Sequence, residues 1–129
     1  MRYVLIAEDD PAIARLLGEG IGEIDDVETD VIMNGALVPD ALAARRPDLL
    51  VLDVSLPGLS GLDIFDLVRN DPQWEGVPVL FLTASPEKAR GAFAPTGVRR
   101  VMAKPFEIDA LVAAVRLMLG EPRKTEVAA

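Results

Sequence analysis

Four apolar runs, each ending in a polar residue of chemical consequence, constrain this chain more than any other feature. Tyr3 to Ala7 runs into Glu8, Asp9 and Asp10, and Leu49 to Leu52 ends at Asp53. Val79 to Leu82 ends at Thr83, and Val101 to Ala103 ends at Lys104 and Pro105. Short continuous apolar runs are what strands look like when both their faces are covered. Helical patterns lie between them. Ile13, Leu16, Leu17, Ile21 and Ile24 recur at helical spacing after the first run, and Ile108, Leu111, Val112, Val115 and Met118 do so after the last. Strand and helix alternate five times, which predicts an α/β fold: a doubly wound, five-stranded parallel sheet with helices on both faces.

Strand polarity predicts the order. The first, third and fourth strands are almost wholly apolar and belong in the centre. Val27 to Met33 alternates apolar and polar residues, and Arg99 to Ala103 is mixed, so these two belong at the edges. With right-handed crossovers the simplest order is 2-1-3-4-5. Winding then reverses between strands one and three, and the crevice outside the strand C-termini at such a switch point is where ligands bind. One edge of the sheet should therefore gather Glu8, Asp9, Asp53, Thr83 and Lys104.

The punctuation agrees. Asp10 can cap the first helix with Pro11 at its first position. Asn34-Gly35 is a turn before a second helix running to about Arg46, with Pro39 tolerable only in its first turn. Pro57-Gly58 and Ser60-Gly61 form a loop before a third helix over Gly61 to Asn70. The fourth strand spans Val77 to Leu82. Pro86 to Phe93 reads as a short, weak fourth helix limited by Gly91 and Pro95, and a mobile one. The expected domain is residues 1–120, followed by a flexible polar tail over 121–129.

Composition narrows the chemistry. The chain of 129 residues has no Cys and no His, so thiolate chemistry is excluded and the commonest general base is missing. Carboxylates, hydroxyls and lysine remain. A net charge of -8 argues against nucleic-acid binding through this domain. No apolar stretch reaches the about 20 residues that span a bilayer, and a strand follows Met1 almost at once. A soluble, cytoplasmic protein is expected.

Glu8, Asp9 and Asp53 at one sheet edge would raise one another's pKa unless a cation intervened. Mg²⁺ suits them, since it takes oxygen ligands and binds beside phosphate. Lys104 offers a point charge, and Thr83 a hydroxyl, to phosphoryl oxygens. One carboxylate could then attack phosphorus. Asp53 is the best candidate because it stands alone at its strand end, leaving Glu8 and Asp9 as the metal-holding pair. Each feature alone has an ordinary explanation: an acidic cap, a turn aspartate, a loop Lys-Pro. Their falling together on successive strand ends of one sheet edge does not.

These residues resemble the receiver domain of bacterial two-component response regulators, over about residues 2 to 119. The resemblance rests on Val4 to Asp10, Asp48 to Asp53, Leu56 to Gly61, Leu82-Thr83-Ala84 and Lys104-Pro105-Phe106. It implies a flavodoxin-like fold, whose 2-1-3-4-5 order is a known property of such domains and so no independent support. It implies that Asp53 accepts a phosphoryl group from a histidine kinase or phosphotransfer protein. Asp9 would be the direct Mg²⁺ ligand of the acidic pair, joined by Asp53 and the Ser55 backbone carbonyl. Thr83 would be the switch hydroxyl and Lys104 the conserved lysine, with a cis bond to Pro105. The downstream target is unspecified, and a homodimer is left open. Three departures stand out. Val101 occupies a position where the family usually has Tyr or Phe. Ser55 and Ser85 lie two residues beyond Asp53 and Thr83, where phosphate lifetime is tuned. The segment between Thr83 and Lys104 is about one residue short.

Two other functions compete with this phosphoacceptor, which is not expected to be an enzyme. A phosphohydrolase of the haloacid-dehalogenase type would want a second acid two residues after its nucleophile, where this chain has Ser55, and a cap domain for which there is no room. A receiver-like module that binds partners without phosphorylation is favoured mildly by Val101. The complete set of acids, Thr83 and Lys104 argues against it.

Overall fold

The structure is a computed structural model that describes residues 1–87 and 99–120. Five strands form one parallel sheet in the order β2-β1-β3-β4-β5: β1 Arg2–Ala7, β2 Val27–Ile32, β3 Leu49–Asp53, β4 Val79–Thr83 and β5 Arg99–Ala103. Among the described residues, helices α1 Pro11–Gly22, α2 Val38–Ala44, α3 Gly61–Asn70 and α4 Ile108–Leu119 accompany it. Every residue of β1, β3 and β4 is buried, whereas β2 and β5 are largely half-exposed or exposed. The polarity of each strand therefore matches its place in the sheet.

Because side chains alternate along a strand, an all-apolar strand feeds two cores. Leu5, Leu50, Leu52, Val79 and Phe81 face α2 and α3, meeting Val38, Leu42, Ile64, Phe65 and Val68. Val4, Ile6, Leu49, Val51, Leu80 and Leu82 face α1 and α4, meeting Leu17, Ile21, Leu111 and Val115. A fully buried Leu, Ile or Phe contributes about 1.5–3 kcal/mol relative to an exposed one. These two layers hold the central strands rigid, and hence their C-terminal ends.

Helix starts follow their caps. The Asp10 carboxylate accepts from the Ala12 and Ile13 amides, with Pro11 opening α1. Ser60 and Asp63 form a reciprocal capping box at α3. Pro39 falls in the first turn of α2, where its missing N–H costs nothing. That second helix is shorter than expected: Gly35–Leu37 form a 3-10 turn, and Arg45 is already extended. Pro47 keeps the helix from resuming, since proline disfavours the helical region in Arg46, the residue before it. β4 starts at Val79 rather than Val77, because Pro78 has no amide to give the ladder, although its carbonyl accepts from Leu50. The sequence reading missed a second 3-10 turn, Pro72–Trp74. The Trp74 indole donates to the Leu42 carbonyl at 3.3 Å, pinning that turn under α2. Apart from its first two residues, the short helix expected over Pro86 to Phe93 lies outside the described residues, as does the tail over 121–129.

Candidate functional site

The carboxyl ends of β1, β3, β4 and β5 deliver the site. Register sets Ala7 beside Leu52, Asp53 beside Leu82, and Thr83 beside Ala103. Sheet-like hydrogen bonds continue one residue further. Glu8 N–H donates to the Ile32 carbonyl at 3.0 Å, Val54 N–H to Leu82 at 2.9 Å, and Lys104 N–H to Thr83 at 2.8 Å. The residues that carry the chemistry are therefore fixed by ladder geometry. The Lys104-Pro105 peptide is cis, as the resemblance implies.

Glu8, Asp9 and Asp53 each offer a carboxylate oxygen, all within 4.8 Å of one another. Their burial differs sharply. Glu8 is wholly buried and Asp53 nearly so, at 0% and 4% exposure, while Asp9 is exposed. Lys104 Nζ lies between the two buried acids, 2.6 Å from Glu8 Oε1 and 3.1 Å from Asp53 Oδ2. Backbone amides take the remaining oxygens. Asp10 N–H donates to Glu8 Oε2 at 3.1 Å, and Ser55 N–H to Asp53 Oδ1 at 3.0 Å. Together with Asp10, Ile13 and Ala84, these residues line an open cleft of about 370 Å³.

Lys104 is the main surprise. The sequence suggested a cation as the remedy for acid repulsion and reserved the lysine for phosphoryl oxygens. In the structure its ammonium already bridges two of the three acids. One charge does not neutralise three. Burial pushes the Glu8 carboxyl up to about 7; the Lys104 hydrogen bond opposes this and Asp53 adds to it. Burial draws the Lys104 ammonium down, but its bonds to Glu8 and Asp53 outweigh burial and leave it above its ordinary value.

Thr83 is brought to the same edge and is nearly buried, but it is not among the residues lining the cleft. Its hydroxyl accepts from the Ser85 amide at 3.0 Å. Val101 sits opposite Phe81 across the β4–β5 ladder and packs on the α2–α3 core. Ile13 and Ala84 also line the cleft; the sequence places Ile13 on the first helix and Ala84 in the Leu82-Thr83-Ala84 motif, without a site role for either.

The acid set fits a hard divalent cation. It supplies oxygen donors only, holds more negative charge than Lys104 compensates, and opens to solvent on the Asp9 side.

A parallel sheet in this order, with clustered acids and a lysine at its switch point, defines a class of signalling domain. Residues 4–116 match the response regulator receiver domain, and the chain belongs to that family. It is 36% identical over 119 residues to the phosphate regulon transcriptional regulatory protein PhoB of Rhizobium meliloti, covering 90% of this chain and 51% of that protein. It is also 36% identical over 125 residues to the KDP operon transcriptional regulatory protein KdpE of Escherichia coli, covering 92% and 52% respectively. Among solved structures, the chemotaxis protein CheY4 of Vibrio cholerae superposes with a TM-score of 0.76 at 25% identity, covering 90% of this chain and 97% of that one. The chain spans about half the length of the curated relatives it matches. Receiver domains of this family bind Mg²⁺ at an acidic site and work with histidine kinases or phosphotransfer proteins. Among the described residues, no helix is long and apolar enough to cross a membrane.

Proposed function

We propose that this chain is a cytoplasmic phosphoacceptor whose Asp53 takes a phosphoryl group from the phosphohistidine of a kinase or phosphotransfer protein. The observation that carries the reading is Asp53 itself: a nearly buried carboxylate within 4.8 Å of two other acids, with Lys104 Nζ on one oxygen and an amide on the other. In the transfer, an Asp53 oxygen bonds to phosphorus, the phosphorus–nitrogen bond breaks, and its electron pair leaves with the imidazole. Asp9, Asp53 and the Ser55 carbonyl, with Glu8 behind them, would hold Mg²⁺. When bound, that ion offsets the negative charge of the acids and of the incoming phosphoryl oxygens.

The chain's own residues do the rest. Lys104 bridges Glu8 and Asp53, offsets their mutual repulsion, and can shift toward a phosphoryl oxygen as one arrives. Thr83 gives up the Ser85 amide and donates its hydroxyl to another phosphoryl oxygen, which moves the β4 end. Because Val101 lacks a ring, the change travels by backbone displacement rather than by an aromatic swing. The folded unit is residues 1–120, acting as a signalling element rather than a turnover enzyme. Its target is a protein, since a net charge of -8 disfavours nucleic acid.

Intact mass after incubation with acetyl phosphate and Mg²⁺ tests this. One phosphate should add to the native chain and none to Asp53→Ala. Equal labelling of the two, or no labelling of either, would refute the reading. Rapid multiple turnover of small phosphoesters would instead support an Asp53-dependent phosphohydrolase.

A further inference from the structure

Two turns that carry no acidic group are locked together beside Asp53. After β2, Gly35 N–H donates to the Pro57 carbonyl at 2.9 Å. The Asn34 side chain accepts from the Ala36 amide at 2.9 Å and lies against Gly58, whose φ is +80°. A methyl group on Gly35 would overlap the Leu59 carbonyl oxygen and lie 2.8 Å from its carbon and 3.0 Å from the Leu59 amide nitrogen. These are backbone atoms, and they cannot rotate aside as a side-chain tip does. A methyl on Gly58 would run into Asn34 Oδ1 and come within 2.8 Å of both Cβ and N of Ala36. Neither turn tolerates a side chain at the contact, so main chain meets main chain.

The bend held in this way belongs to the loop that begins at the phosphoacceptor. Its neck is closed by Gly61 N–H donating to the Val54 carbonyl at 3.0 Å. A side chain on Gly61 would collide with the Asp53 carbonyl oxygen and come within 3.0 Å of Val54 Cα. Between neck and bend lies Ser55, whose amide holds Asp53 Oδ1.

We propose that Gly35, by clasping the bend from Pro57 to Leu59, is a positioning residue for Asp53. It fixes the loop whose Ser55 amide aims the carboxylate at incoming phosphorus. The inference rests on the receiver reading above. It extends the site to a turn that touches neither metal nor phosphate. Nucleophile orientation is costly to lose: a displacement of about 1 Å can slow a reaction by about 100-fold.

The test is the rate of labelling by acetyl phosphate with saturating Mg²⁺, read by intact mass, alongside a thermal melt of each protein. Gly35→Ala should label about 10- to 100-fold more slowly while remaining folded at the assay temperature. Asn34→Ala, which adds no atom to the contact, should slow labelling several-fold and decides the matter if Gly35→Ala does not fold. Asn34→Ser should recover most of that loss, because its hydroxyl can again accept from the Ala36 amide. Leu42→Ala, in the α2 core, should melt lower yet label at the native rate. The proposal fails if folded Gly35→Ala and Asn34→Ala label like the native chain, or if Leu42→Ala slows labelling as much as they do. It fails also if both turn variants lose their cooperative melt, since the clasp is then a folding element. A native chain that never labels refutes the receiver reading itself, whatever the melts show.

Discussion

Glu8 should make this protein less stable as pH rises from 5 to 8 when divalent cations are chelated. Its carboxyl titrates at about 7 in the folded chain, against an ordinary value of 4.5. Below pH 4.5 both folded and unfolded chains hold the proton, so nothing is lost. Between 4.5 and 7 the unfolded chain releases it while the folded chain keeps it, and stability falls. Above 7 the loss is complete. Each tenfold difference in proton affinity is worth about 1.4 kcal/mol, so the whole loss is about 3 kcal/mol. For a domain of this size that lowers the melting temperature by about 10 °C. Other shifted groups do not interfere in this window. Arg45 holds Glu28 below its ordinary value, and Lys104 titrates above its own. Calorimetric melts in chelator across the range would show the fall. Millimolar Mg²⁺ should flatten it by favouring the ionised carboxylate, and Glu8→Gln should abolish it. A melting temperature that is constant or rising between pH 5 and 8, or a slope retained in Glu8→Gln, would refute the reasoning.

Lys104→Met should cost about 2–3 kcal/mol at pH 8, because two nearly buried acids lose their shared cation; urea melts should show this loss shrinking near pH 5. Phe81→Ala should cost about 3–5 kcal/mol, since Phe81 is fully buried and meets the Phe65 ring edge-on at 5.2 Å, again read by urea melts. Ser60→Ala should cost about 1 kcal/mol by breaking the capping box of α3, and a thermal melt of that variant would check it.

The strands were legible because a parallel sheet covered on both faces demands apolar residues at every position, and few other structures do. The edges were legible for the converse reason: Glu28, Thr29 and Asp30 cannot all lie in a core. The helix starts were written in Asp10-Pro11 and Ser60. Sequence was weaker where a contact joins distant segments. Nothing near Lys104 says that its ammonium reaches Glu8, 96 positions earlier. Nothing in Asn34-Gly35 beyond a turn says that it grips Pro57 to Leu59. Nothing around Trp74 in the sequence points to Leu42, and only the folded chain shows its indole reaching the Leu42 carbonyl. The acids were found because their strand ends announce them; the parts that hold them steady are glycines and amides, which announce nothing.

The anchoring of Trp74 has a practical consequence. Its indole sits at the amino end of β4, beside Val77, whereas Asp53 lies at the carboxyl end of the neighbouring strand. Emission from the sole tryptophan in the chain should thus report whether the chain is folded and change little with phosphorylation in the acidic cleft. Fluorescence and mass taken from one sample would keep loss of structure and loss of chemistry on separate channels.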